Sequence, residues 1–82
     1  MTRTMIADEI SYASQRILSA YNNAERVYWR GVVEGLRAAR DGKAGLVRRK
    51  ALRDLARAEA RYDLEARDYV LGILEGIRRA GE

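Results

Sequence analysis

The chain has 82 residues, a net charge of +4 and 48% apolar residues. A chain of that size makes one domain with a small core, and that composition is not that of a disordered segment. It holds no cysteine and no histidine, which excludes disulfides, thiolate ligands, a cysteine nucleophile and the commonest general base and metal ligand.

Proline is also absent, and a chain rich in Ala, Leu, Arg and Glu has little to interrupt a helix. The fold class expected is therefore all-α. Thr2 or Thr4 can cap a first helix, with Asp8 and Glu9 near its positive end. Ile6, Ile10, Ala13, Ile17, Tyr21, Ala24, Tyr28, Val32 and Leu36 then follow a three-or-four spacing, which is one face of a helix over about 4–39. Asp41-Gly42-Lys43-Ala44-Gly45 is the clearest turn, at 41–45. A second face, from Leu52 and Leu55 through Ala58, Tyr62, Ala66, Tyr69, Ile73 and Ile77 to Ala80, predicts a helix over about 46–80, ended by Gly81. The expected architecture is a single domain over 1–82, a long antiparallel two-helix hairpin that forms a helical bundle on self-association. Each arm would be about 50 Å long at ~1.5 Å per residue. Asn22-Asn23-Ala24-Glu25 has the form of a capping box, so three helices with a break near Asn22-Asn23 is the competing expectation.

The chain repeats itself. Shifted by 41 positions, Tyr28-Trp29-Arg30-Gly31-Val32-Val33-Glu34-Gly35-Leu36-Arg37 lies over Tyr69-Val70-Leu71-Gly72-Ile73-Leu74-Glu75-Gly76-Ile77-Arg78. Arg16, Tyr21 and Arg26 lie over Arg57, Tyr62 and Arg67. The repeat runs over 16–39 and 57–80 and reads as duplication of one helix. Shared glycines are the telling part, because each costs about 1 kcal/mol in a helix interior.

Gly31 with Gly35, and Gly72 with Gly76, form two Gly-x-x-x-Gly pairs, each on one helix face. Such a face lets another helix approach closely. Around them Tyr28, Trp29, Val32, Val33 and Leu36, and likewise Tyr69, Val70, Ile73, Leu74 and Ile77, cover more than one helix side. A single hairpin seam cannot bury that much. These fourteen positions are the expected self- or partner-interface, in a homodimer or against another protein. The alternative is that each pair makes room for a neighbour inside the chain.

Charge is uneven. From Arg37 to Arg61 there are nine basic and three acidic residues. Arg48, Arg49, Lys50, Arg53, Arg57 and Arg61 include cations at four-residue spacing, which a helix does not gain from. They are the expected surface for an acidic partner, a protein or, less favoured, a nucleic acid. No aromatic residue lies between Arg30 and Arg61 to stack on bases. The opposing reading is a solvated face with Asp54, Glu59 and Glu65 as partial partners.

No catalytic kit is visible. Ser11, Ser14 and Ser19 have no base, and Glu34 and Glu75 lack the histidines of a di-metal bundle. Gly42 to Gly45 lacks the spacing of a phosphate-binding loop. No catalytic, cofactor or metal site is expected, nor a small-molecule substrate. Neither a membrane-length apolar run nor, near Asp8 and Glu9, a signal-type segment is seen, so a cytoplasmic chain is expected, in host cytoplasm or virion if viral. The function expected is a non-catalytic protein–protein interaction module, a small adaptor, inhibitor or assembly subunit of phage or mobile-element type. A basic helical nucleic-acid binder and a structural subunit of a larger particle are the alternatives.

Overall fold

The computed structural model describes residues 2–81. Among them are four helices: α1 (Arg3–Leu18), α2 (Asn23–Arg40), α3 (Ala44–Ala60) and α4 (Leu64–Ala80). Both long arms expected from the sequence are therefore broken, the first over 19–22 and the second over 61–63. The first break is the capping box. The Asn22 Oδ1 accepts from the Glu25 amide at 2.8 Å, and the Glu25 carboxylate accepts from the Tyr21 amide at 3.1 Å. Those bonds satisfy donors that a helix start leaves open. The second break has the same build: the Asp63 carboxylate accepts from the Ala66 amide at 3.1 Å. Just before it Tyr62 lies at φ 55°, and the Asp63 amide donates back to the Ala58 carbonyl at 2.9 Å. Gly42, at φ 73°, plays the part of Tyr62 after α2, with Lys43 donating to Ala38 at 2.8 Å. This left-handed residue is the usual helix stop. The turn is shorter than expected, since α3 begins at Ala44 and takes in Gly45.

The breaks change what repeats. The 41-residue shift carries α1 onto α3 and α2 onto α4, so the unit is a helical hairpin rather than one helix. The hairpins join through α2 and α4, which run parallel because Gly31 meets Gly72 and Gly35 meets Gly76. α1 flanks α2 and α3 flanks α4. Across the molecule the order is α1–α2–α4–α3, in a slab of 38 × 30 × 16 Å.

The core is lopsided. Ile6, Ala13, Trp29, Val32, Val33, Leu36 and Ala80 form its buried cluster, with Ile10, Ile17, Tyr28 and Ala39 against it. In the second hairpin the buried apolar residues of α3 are only Ala51 and Ala58. Several positions of the expected helix faces are exposed instead, Ala24 and Tyr69 among them; Tyr21 at 93% and Tyr62 at 89% point outward because each sits in a break. Leu52 is also exposed. The surface totals 5501 Å², against about 5,000 Å² usual for 9.3 kDa, so this slab covers itself less fully than a compact domain would. No helix among the described residues is long and apolar enough to cross a membrane.

Candidate functional site

The glycine blocks meet each other inside the chain. A Cβ on Gly31 would land on the Tyr69 carbonyl oxygen, and one on Gly72 on that of Tyr28. Gly35 and Gly76 repeat this with Ile73 and Val32. A Cβ takes the direction of one glycine Cα–H bond, so those hydrogens point at carbonyl oxygens, a contact worth about 0.5–1 kcal/mol each. The fourteen positions expected at an outer interface divide accordingly. Trp29, Gly31, Val32, Val33, Gly35, Leu36, Val70, Gly72 and Gly76 are buried. Tyr28, Ile73, Leu74 and Ile77 are half-buried, and Tyr69 is exposed at its edge. The internal alternative describes the glycines; the surplus apolar surface that remains lies mainly on α4.

Two tyrosines mark the symmetry of this crossing. Burial raises the Tyr28 phenol above its usual range, and the Glu75 charge adds to it. Burial does the same for Tyr69, with Glu34 in the role of Glu75. Glu75 is itself held below the ordinary carboxylate range by its hydrogen bonds from Arg78 and Arg79, against a burial that opposes them.

On one side of the slab α1, α2 and α4 close over Trp29. The Arg16 and Arg79 guanidiniums each lie 5.4 Å from the indole centroid. Tyr12 and Tyr28 meet the ring edge-on at 5.9 and 5.5 Å. Arg16 is clasped by Glu25 at 3.1 Å, and Arg79 by Glu75 at 3.1 Å and Glu9 at 3.4 Å. The ion pairs hold the two cations where the indole face attracts them. Nothing in the sequence pattern joined Glu9 to Arg79, seventy positions apart.

The basic stripe runs along the exposed surface of α3, with Arg61 just beyond its end. Arg48, Arg49, Lys50, Arg53, Arg57 and Arg61 are all exposed, and none forms an ion pair among the described residues. Arg16, Arg37, Arg40, Arg67, Arg78 and Arg79, by contrast, are all paired. The partial partners expected for the stripe do not serve it: Glu59 turns to Arg67 at 3.9 Å. Leu46 and Leu52 stand exposed among these cations, at 67% and 44%.

Beside the stripe, between α2, α3 and α4, lies an open furrow. One part of it, about 400 Å³, is lined by Ala38, Val47, Ala51, Tyr69, Val70 and Ile73, with Glu34, Arg37, Asp41, Lys50 and Asp54 as its charged residues. It continues past Asp54 to Arg57, Arg61 and Ala66. Among the described residues no cluster of His, Cys, Asp or Glu could hold a metal ion. No protein-family model matches the chain, and no curated protein or solved structure matches it either.

Proposed function

We propose that the chain is a non-catalytic interaction module that binds an acidic surface of another protein through the exposed surface of α3. The observation that carries this is a run of cations, five on α3 and Arg61 at its end, none of them ion-paired among the described residues, whereas six of the other ten cations of the chain are matched. Unmatched like charges at four-residue spacing cost the helix about 0.2–0.5 kcal/mol per pair. A partner's carboxylates would remove that cost and gain from it. Exposed Leu46 and Leu52 favour a protein over a nucleic-acid backbone, because protein interfaces place apolar anchors inside a polar rim. The internal use of the glycine pairs supports a different partner over a homodimer built on them.

The test is capture of partners from a nuclease-treated extract by the purified chain, beside a double charge reversal, Arg53→Glu with Arg57→Glu. Both positions are exposed, so the fold tolerates the change, which circular dichroism checks. A specific protein captured by the natural chain and lost with the variant supports the reading. Capture that disappears on nuclease treatment would transfer the function to nucleic-acid binding. Capture untouched by charge reversal would remove α3 from the interface.

A further inference from the structure

Side chains four residues apart line up along a helix as a ridge, and a second helix packs by laying one of its own ridges in the groove between two of these. Two neighbouring ridges of α3 are uncovered. The first is Arg49, Arg53 and Arg57, continued by Arg61 just past the helix end. The second is Arg48, Leu52, Ala56 and Ala60. All eight residues are exposed, whereas Ala51 and Ala58, on the side of α3 turned to the rest of the molecule, are buried. The groove between the ridges therefore has two unlike walls. One is cationic along its whole length. The other is apolar from Leu52 onward, and Ala56 and Ala60 offer only a methyl group each, so a partner can come close to the helix there. No carboxylate stands among the eight residues.

We infer that this groove receives an amphipathic acidic helix of the partner protein, its apolar ridge on Leu52, Ala56 and Ala60 and its carboxylates on Arg53 and Arg57, an assignment that rests on the function proposed above and names the partner's form. Charge complementarity sets the sign of the occupant: the groove holds five arginines and no acid, and a guanidinium donates to a carboxylate through paired hydrogen bonds. The apolar wall sets its second property. A nucleic-acid backbone, or a stretch of acids alone, would leave Leu52 and the two alanines without a contact. The run of the ridge sets its shape. From Arg49 to Arg61 the row climbs about 18 Å and winds about 120° round the axis. The ridges of a second helix are inclined in the same way and fit such a groove with the axes crossed by about 50°, while a straight extended chain leaves the row after two cations. An amphipathic helix laid along a groove is a recurring mode of recognition. A second copy of this chain does not supply it, because no helix here carries two acids four residues apart.

The probe is a capped, alanine-based peptide of about 18 residues, long enough to form helix by itself, with leucine at every fourth position and glutamate directly after each leucine. One control carries two central prolines, which keep the charge and abolish the helix. A second has serine for each leucine, and a third probe is a short DNA duplex. Binding to the full chain, labelled with ¹⁵N, is followed by amide shifts. The helical peptide should shift Leu52, Ala56 and Arg57 and bind at least about tenfold more tightly than the proline or serine form. Ala56→Gln, at an exposed position, fills the groove and should remove that advantage while leaving the proline form's binding unchanged. Arg53→Glu with Arg57→Glu should weaken every glutamate peptide. Equal binding of the three peptides, all weakened by the charge reversal, would overturn the helix and leave the acidic partner standing. Binding of the helical peptide that the charge reversal does not weaken would overturn both. Tighter binding of the duplex than of the helical peptide, untouched by Ala56→Gln, would also overturn both, as would the absence of shifts on α3 with any peptide.

Discussion

Gly31 on α2 and Gly72 on α4 meet with no room between them: a Cβ on Gly31 would stand 3.0 Å from the Gly72 Cα and on top of the Tyr69 carbonyl oxygen. Backbone cannot move aside as a flexible side chain can. Gly31→Ala must therefore push the two hairpins apart. A loss of about 1–3 kcal/mol is expected, as for overpacking of a core, against a helix-propensity gain of about 1 kcal/mol from Ala. Thermal unfolding followed by circular dichroism should show a lower midpoint. An unchanged midpoint with an altered solution mass would place the glycine between molecules.

Trp29 ties three helices together, through Tyr12 and Arg16 of α1, its own place on α2, and Arg79 of α4. Trp29→Ala should cost about 3–5 kcal/mol, enough to unfold a chain this small near room temperature. Trp29→Phe should retain most of the packing. Urea titration of the two variants separates these outcomes, and equal stability of Trp29→Ala and the natural chain would contradict the clasp.

Tyr62 occupies a left-handed position while 89% exposed. Its ring is nearly bare, and its backbone bears the penalty of about 1–2 kcal/mol that L-residues meet there. Tyr62→Gly should raise stability by about 1 kcal/mol, as for a usual helix stop. A decrease in the unfolding midpoint would show that the tyrosine side chain contributes packing of its own.

Glu75 titrates below its unfolded range, held down chiefly by the hydrogen bond from Arg78 and also by Arg79. A carboxyl depressed in the folded state adds stability above its unfolded pKa, and that stability is lost as pH falls through the folded value. Tyr28 has the opposite sense. Raised by burial first and by Glu75 second, it adds stability that is complete below the unfolded value of 10.0 and lost as pH rises beyond it. Glu75→Gln should flatten the acid limb of a stability–pH profile at a cost of about 1 kcal/mol near neutrality, and Tyr28→Phe should flatten the alkaline limb. Profiles that keep both limbs unchanged would remove these groups from the linkage.

The sequence determined helix everywhere, through its missing prolines and three-or-four apolar spacing, and determined the repeat through shared Tyr, Gly and Glu. It also carried the break at Asn22, whose side chain and Glu25 form the capping box within four residues. The break at Asp63 was legible only by transfer from Asn22 through the repeat. Ala66 stands where Glu25 does, so the local signal is halved. The basic stripe on α3 was legible too, because charge spacing along one helix is local. What only the tertiary structure decided is which surfaces face each other. A Gly-x-x-x-Gly pair specifies close approach without specifying the partner; the extra breaks at 19–22 and 61–63 turned the chain so that the two pairs found one another. The same turn joined Glu9 to Arg79 beside Trp29 on one side and left an open furrow between α2, α3 and α4 on the other. Local bonding fixes a helix and its ends, but the contacts between helices depend on where every intervening turn sends the chain.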